Sequence, residues 1–182
     1  ETYLGNVNSF GPRSCYDESK RAGETLCFIY RNYLGVDAKI ARIFNTYGPR
    51  MREDDGRVIP NMVMQALKSE PVTIYGSGSQ TRSFCFVSDL VQGLEKLMDS
   101  RFSGPMNLGN PNEITVSELA KKIIFLMQSV SSLGFSALPK DDPAKRKPDI
   151  SLAGERLGWA PKVSLDEGLK ETIRYFKNGM ND

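Results

Sequence analysis

Histidine is absent from this 182-residue sequence, and cysteine is scarce. Without an imidazole group, the chain alone cannot provide a histidine base, a Ser-His-Asp triad or a His-ligated zinc ion. The three cysteines, Cys15, Cys27 and Cys85, form no C-x-x-C pair, and an odd number does not suit a disulfide framework. We therefore expect no metal site and a reducing compartment.

Long apolar runs and an excess of charge of one sign are also missing. The longest uninterrupted apolar run covers residues 123–127, far short of the roughly 20 residues that span a bilayer. Lys plus Arg number 24 and Asp plus Glu 22, so the net charge is only +2. That balance gives no electrostatic footprint for nucleic acid or an anionic membrane, and we expect neither partner for this chain.

The residues that are present predict a folded α/β protein. Apolar residues make up 40% of the chain and charged residues 25%, which is ordinary for a globular protein. Short apolar runs predict strands, and they alternate with stretches of helical periodicity. The predicted strands cover 38–44, 72–75, 83–87 and 105–108. The predicted helices cover 16–34, 59–67, 89–98, 119–127, 150–157 and 164–176.

Local signals mark several ends of these elements. Gly35 is a typical helix stop, and Ser88 is a candidate N-cap for the helix at 89–98. Thr115 followed by Glu118 has the spacing of a capping box. The Gly-Ser-Gly turn at 76–78 lacks a third glycine and a following helix, so it fails as a dinucleotide-binding fingerprint.

Tyr16 and Lys20 form the first candidate catalytic pair. Four residues apart on a helix, they share one face. A free phenol has a pKa near 10, and a nearby ammonium stabilises the phenolate and lowers that pKa. Such a pair can remove a proton from a sugar hydroxyl while a hydride leaves the same carbon. The same spacing also occurs on ordinary surface helices, so the pair alone does not establish a site.

Arginines supply the second kind of candidate. Arg82 follows a Gly/Ser turn, where a guanidinium can bind phosphate or carboxylate or can simply point into solvent. Other arginines surround Asn45 and form either a phosphate-binding surface or a loop balanced by neighbouring carboxylates. They are Arg42, Arg50, Arg52 and Arg57. The basic run at 145–147 is typical of a solvated face.

Together and in this order, the segments resemble the extended short-chain dehydrogenase/reductases, and within them the UDP-glucuronate decarboxylases. The matching segments are YDESKR at 16–21, ARIFNTYGPRM at 41–51, DGRVI at 55–59, YGSGSQTRSF at 75–84 and VSDLV at 87–91. NLGNP at 107–111, DDP at 141–143 and RKPDI at 146–150 favour the decarboxylases over the dTDP-glucose dehydratases and the sugar epimerases.

The resemblance implies an architecture. The chain would be a single fragment, the C-terminal part of a Rossmann-type doubly wound parallel sheet with a smaller α/β substrate domain. Residues 1–50 would be the last part of the NAD-binding domain, and residues 51–182 mostly the UDP-sugar domain, with some elements returning to the Rossmann sheet. The Gly-rich NAD loop would precede Glu1, so the isolated chain would be inactive. The family pairs through a four-helix bundle, which implies a homodimer through the helix at 17–34.

The resemblance also implies site residues. Tyr16 would be the base, Lys20 would lower its pKa, and both would contact NAD together with Thr46. Arg82 would contact the substrate carboxylate or diphosphate and take part in catalysis. The remaining positions would bind the UDP-sugar: Asn45 and Arg146 at the diphosphate, Arg57, Val58 and Ile59 along the nucleotide, Ile74 and Tyr75 beside the uracil, and Gln80.

The implied reaction is NAD-dependent decarboxylation of UDP-glucuronate to UDP-xylose through a 4-keto intermediate. The alternatives are a dTDP-glucose 4,6-dehydratase, a nucleotide-sugar epimerase and a non-catalytic sugar-nucleotide-binding fragment. The expected location is the cytoplasm, or the Golgi lumen if a membrane anchor precedes this chain.

Overall fold

The computed structural model describes residues 1–2, 5, 8–138 and 147–179. Helices and strands alternate, as the α/β prediction requires. The helices are α1 (Ser14–Leu34), α2 (Val58–Leu67), α3 (Val87–Asp99), α4 (Val116–Met127), α5 (Ser151–Leu157) and α6 (Leu165–Gly179). The strands are β1 (Ile40–Ile43), β2 (Thr46–Tyr47), β3 (Val72–Tyr75), β4 (Thr81–Ser83), β5 (Cys85–Phe86), β6 (Pro105–Leu108), β7 (Glu113–Thr115) and β8 (Leu133–Ser136). In these ranges no helix has the length and apolarity to cross a membrane.

The strands pair in twos, and most pairs are parallel. β1 pairs with β6, β2 with β5 and β3 with β8, all in parallel register, whereas β4 and β7 are antiparallel. Parallel neighbours require long crossover connections, and here α2, α3 and α4 lie within those connections. The carboxyl ends of β1 and β6 consequently lie side by side, which is where ligands bind in open parallel sheets.

Two apolar clusters of the described residues hold the helices against the strands. The larger cluster joins one face each of α2, α4 and α6 to β3. The smaller one surrounds Trp159 and joins α3 and α5 to β6. No residue of α1 is buried, so this helix stands outside both clusters.

Most predicted ends of elements are confirmed, and two expectations are wrong. α1 ends at Gly35, whose φ of 70° lies in the left-handed region that glycine tolerates. Thr115 and Glu118 form the predicted capping box of α4. Ser88 is not a cap: α3 begins at Val87 directly after β5, with Phe86 at the N-cap position. The predicted strand at 83–87 is instead two short strands with Phe84 between them, because β4 and β5 pair with different partners.

A buried carboxylate ties α3 to the segment before α6. Asp89 Oδ2 accepts the backbone N–H groups of Lys162 and Val163 at 3.0 and 2.8 Å. The Asp89 carbonyl accepts the indole N–H of Trp159 at 3.0 Å. Gly93 leaves room for the indole, since a Cβ there would lie 2.9 Å from Trp159 Cε2. These contacts fix the chain from 159 to 165 against the start of α3.

We predict that Asp89→Ala destabilises the fold by about 2–3 kcal/mol, because two backbone donors lose a charged acceptor. Urea unfolding followed by the fluorescence of Trp159, the only tryptophan of this chain, measures the change. Asp99→Ala at the exposed end of α3 is the matched control, with an expected change within about 0.5 kcal/mol. Equal midpoints for the two variants would contradict this account.

Candidate functional site

The pair Tyr16 and Lys20 lies on the surface of α1 as the spacing predicts. Lys20 Nζ is 5.3 Å from the centre of the Tyr16 ring, and the Arg13 guanidinium carbon lies 5.9 Å from it. Tyr16 is 59% exposed, so its hydroxyl is open to a reactant. The geometry therefore suits proton transfer at the exposed hydroxyl.

An ion pair holds α1 on the sheet. Arg42 of β1 donates from Nε and Nη2 to the two carboxylate oxygens of Glu24, at 2.7 and 2.8 Å. The hydrogen bonds from Arg42 hold the pKa of the Glu24 carboxyl below its ordinary value, although partial burial acts in the opposite direction. This two-point contact joins α1, which carries Tyr16 and Lys20, to β1. The ion pair between Arg31 and Asp37, at 2.6 Å, is a second contact near the C-terminal end of the helix.

Asn45 and Thr46 follow the carboxyl end of β1, next to the end of β6. The backbone N–H of Phe44 donates to the Leu108 carbonyl at 3.0 Å, and the Thr46 hydroxyl donates to the Phe44 carbonyl at 2.9 Å. The Asn45 carbonyl accepts the N–H of Cys85 at 2.8 Å. This stretch is therefore fixed at the position where parallel α/β folds bind ligands.

The Cys85 thiol is not a candidate nucleophile. Burial, with a smaller effect from the Asp89 charge, raises the pKa of the Cys85 thiol to about 12. It therefore stays protonated at neutral pH. The described residues also contain no group of three or more Cys, Asp and Glu side chains that could hold a metal ion.

Arg82 lies on β4, after a turn whose carbonyl groups are hydrogen-bonded to the Gln80 side chain and to the backbone of α4. Gln80 Nε2 donates to the Tyr75 carbonyl at 2.6 Å, and the N–H of Ser117 donates to the Gly78 carbonyl at 3.0 Å. Gly78 has a φ of 76°, and a Cβ there would lie 2.9 Å from Ile74 Cγ2, so only glycine suits this position. Arg82 Nη1 donates to the Thr81 carbonyl at 2.8 Å.

Strand register links Arg82 to the end of β1. Thr46 lies opposite Cys85 in the β2/β5 pair, and Cys85 follows Arg82 by three residues. Three extended residues span at most about 11 Å, and paired strands lie about 4.8 Å apart. The backbone therefore keeps Thr46 and Arg82 within about 16 Å of each other, although the sequence separates them widely.

The other predicted nucleotide-binding residues differ in their exposure. Arg57 stands at the N-cap of α2 and forms an ion pair with Asp55, with 3.2 Å between Nε and Oδ2. Tyr75 is half-exposed, whereas Ile74 and the Ile59 side chain belong to the larger apolar cluster. Contact of these residues with a nucleotide stays a prediction.

The contacts of the arginines around Asn45 favour the interpretation that carboxylates balance their charge over the interpretation that they form a phosphate-binding surface. Three of the four pair with carboxylates close in space. The pairs are Arg42–Glu24, Arg52–Asp54 and Arg57–Asp55. Arg146 falls outside the described residues.

Glu113, which the sequence analysis did not single out, contacts Thr81 and Lys147, which are sequence neighbours of the predicted substrate-binding residues Arg82 and Arg146. It accepts a hydrogen bond from the Thr81 hydroxyl at 2.7 Å and lies 3.6 Å from Lys147 Nζ. Lys147 directly follows Arg146 in the sequence. No local pattern identifies this residue, because its partner Thr81 is 32 positions away.

A cleft of about 610 Å³ lies elsewhere, between β7, α4 and the segment that leads into α6. Its walls include Phe84, Asn110 and Lys122, and they include none of the predicted site residues.

Parallel strand pairs with helices in their crossover connections are the topology of a Rossmann-type α/β fold, the fold of the short-chain dehydrogenase/reductase class. Residues 4–109 match the model of the NAD dependent epimerase/dehydratase family. The chain therefore belongs to the NAD dependent epimerase/dehydratase family. This confirms the predicted fold class.

Two curated relatives and one solved structure show which members of the family this chain is similar to. The chain is 56% identical over 177 residues to UDP-glucuronic acid decarboxylase 2 of Arabidopsis thaliana, covering 97% of this chain and 40% of that protein. It is 54% identical over 176 residues to UDP-glucuronic acid decarboxylase 1 of Danio rerio, covering 97% and 42%. UDP-glucuronic acid 4-epimerase from Bacillus cereus, in complex with UDP-glucuronic acid and NAD, superposes with a TM-score of 0.84 at 27% identity, covering 97% and 57%. The chain thus spans about two fifths of the length of these two curated relatives.

We predict that Glu24→Gln lowers stability by about 1–2 kcal/mol at pH 7 and flattens its acid dependence. The folded pKa of Glu24 is depressed, so its contribution is present above the unfolded pKa and is lost as pH falls through the folded pKa. Urea midpoints at pH 7 and at about pH 3.5 measure both effects. Glu18→Gln is the control, because its contact with Arg21 is exposed and 3.5 Å long. Parallel pH profiles for the wild-type protein and Glu24→Gln would refute the assignment.

Proposed function

We propose that the protein to which this chain belongs converts UDP-glucuronate to UDP-xylose and carbon dioxide. The observation that carries the proposal is the Lys20 ammonium 5.3 Å from the exposed Tyr16 ring, in a chain 52–56% identical to several UDP-glucuronic acid decarboxylases. The B. cereus 4-epimerase, whose structure contains UDP-glucuronic acid, is more distant at 27% identity.

NAD is the cofactor in this proposal, and the described residues suit its nicotinamide end. Tyr16 and Lys20 offer a phenol and an ammonium on one exposed helix face, and Thr46 offers a hydroxyl at the carboxyl end of the sheet. When bound, NAD supplies a reversible hydride acceptor. The sequence contains no G-x-G-x-x-G turn, so the dinucleotide phosphates would bind residues outside this chain.

Tyr16 acts as the base in the proposed first step. Its phenolate, stabilised by Lys20, takes the proton of the sugar 4-hydroxyl as the hydrogen on C4 leaves as a hydride. The product is a 4-keto sugar with a carboxylate on C5, which is a β-keto acid. The bond from C5 to the carboxylate then breaks, its electron pair moves into the C4 carbonyl, and carbon dioxide leaves. A proton from solvent at C5, return of the hydride to C4 and return of the proton from Tyr16 to the C4 oxygen complete UDP-xylose.

Substrate binding is assigned to the surface from β1 to β4. Arg82 binds the carboxylate or the diphosphate, and Asn45 binds the diphosphate from the end of β1. Tyr75 stacks on the uracil, and Gln80 shapes the turn between them. Arg57 would exchange its Asp55 partner for the nucleotide, which the 3.2 Å surface ion pair permits at low cost. Cytoplasmic localisation stays a prediction.

We predict that Tyr16→Phe in the full-length protein lowers carbon dioxide release from UDP-glucuronate by about 10²–10⁴-fold, because the base is lost. Affinity for UDP, measured by calorimetry, should stay within about twofold. Tyr33→Phe on the same helix is the control, and the isolated 182-residue chain should be inactive.

Product analysis of the wild-type protein separates the alternatives. Formation of a UDP-sugar epimer without release of carbon dioxide would indicate an epimerase instead of a decarboxylase. Loss of water from dTDP-glucose would indicate a dehydratase. Saturable UDP binding without any turnover would indicate a non-catalytic binder. Each of these results would overturn the proposal.

We also propose that two copies pair through α1. Its exposed face carries Leu26, Phe28, Tyr30 and Tyr33, and the last of these is 76% exposed. The residues at 26, 30 and 33 recur at helical spacing, which suits packing against a second helix. A second copy of this helix would remove that apolar surface from water.

The double substitution Leu26→Asp/Tyr33→Asp in the full-length protein is expected to shift the sedimentation mass from dimer to monomer, since two carboxylates would be buried without partners. Phe125→Asp on α4 is the matched control, because that aromatic side chain is 80% exposed on a different helix. A dimer that survives the double substitution, or a monomeric wild-type protein, would rule out pairing through this face.

A further inference from the structure

Tyr47 anchors the strand that carries Thr46. Its side chain is 2% exposed and packs edge-on against Phe84 and Phe86, with ring centres 6.3 and 5.5 Å away. The Tyr47 hydroxyl donates to the Leu165 carbonyl at the start of α6, at 3.3 Å. Burial raises the pKa of Tyr47 above its ordinary value, so this hydroxyl keeps its proton. The contact joins residues 118 positions apart.

Gly168 lets α6 come close enough for this contact. A Cβ at that position would overlap the Tyr47 hydroxyl and lie 2.7 Å from Phe86 Cδ2. Phe86 is the partner of Tyr47 in the β2/β5 register. The first turn of α6 therefore rests directly on this strand pair, and any larger side chain at 168 would push them apart.

The segment that approaches Tyr47 is itself fixed. We call residues 159–168 the C-terminal brace. At its start, Trp159 and the N–H groups of Lys162 and Val163 bind Asp89 of α3. At its end it touches Tyr47 and Phe86 through Leu165 and Gly168. The brace is thus fixed both to α3, which follows β5, and to β2, which pairs with β5.

Thr46 takes its position from this anchor. Adjacent residues of a strand point to opposite faces, so the buried Tyr47 side chain directs the Thr46 side chain away from α6. The planar peptide between them couples their positions. The Thr46 hydroxyl is further oriented by its hydrogen bond to the Phe44 carbonyl at 2.9 Å.

We propose that the C-terminal brace, acting through the Tyr47 hydroxyl and Gly168, sets the position of Thr46 at the nicotinamide end of the site. Tyr47 is thus a positioning residue for the cofactor, about 118 residues in sequence from its partner. The inference rests on the proposed function, since it takes Thr46 as a contact of NAD.

The first test is Tyr47→Phe in the full-length protein, which removes only the hydroxyl. The affinity for NADH, measured by its fluorescence, should weaken about threefold or more, whereas the affinity for UDP, measured by calorimetry, stays within about twofold. Tyr175→Phe, at a half-exposed tyrosine on α6, is the matched control and should change neither affinity. A drop in melting temperature with both affinities unchanged would reduce Tyr47 to a packing residue and overturn the proposal.

The second test is a double-mutant cycle with Gly168→Ala. The new methyl group overlaps the hydroxyl of Tyr47 and also lies 2.8 Å from Tyr47 Cζ and 2.7 Å from Phe86 Cδ2. Removing the hydroxyl relieves part of this clash, so the effect of Gly168→Ala on NADH affinity should be smaller, but not absent, in the Tyr47→Phe background. Strictly additive effects would overturn the coupling. If the wild-type protein binds NADH and UDP but the effects of the two substitutions are additive, only the positioning role is refuted. A wild-type protein that binds neither ligand refutes the proposed function and the inference together.

Discussion

The carboxylate of Asp89 is the contact on which the arrangement of this chain depends. A buried carboxylate is costly unless its oxygens are hydrogen-bonded, and here two backbone N–H groups from a distant segment meet that need. The same residue offers its carbonyl to Trp159, the centre of the smaller apolar cluster. One side chain at the start of α3 therefore holds the C-terminal brace, whose other end rests on β2 and β5 beside the candidate site.

The site combines a rigid part and a weakly attached part. Thr46 and Arg82 stand on short paired strands, and Asn45, between β1 and β2, is held by a backbone hydrogen bond to Cys85. Tyr16 and Lys20 stand on a helix that has no buried residue and is held by the Arg42–Glu24 pair. Packing fixes the first group, whereas charge fixes the second, so acid and salt act mainly on the second.

Sequence patterns predicted the features that arise from neighbouring residues. Gly35 ends α1 and Thr115 caps α4 because each signal acts within one helical turn. The family resemblance supplied the site residues, and the Tyr16–Lys20 contact followed from helical spacing. The interruption at Phe84 and the helix start at Val87 were missed because they depend on which strand pairs with which. β8 and the contact between Tyr47 and Leu165 could not be predicted, since nothing local marks a partner that far along the chain.

The absence of buried residues in α1 has a consequence for how the sequence of this chain can vary. The two apolar clusters contain no residue of the helix, so the packed interior and the surface that bears Tyr16 and Lys20 are separate parts of the chain. Substitutions on the exposed face of α1 can therefore change binding or assembly without disturbing the packed interior.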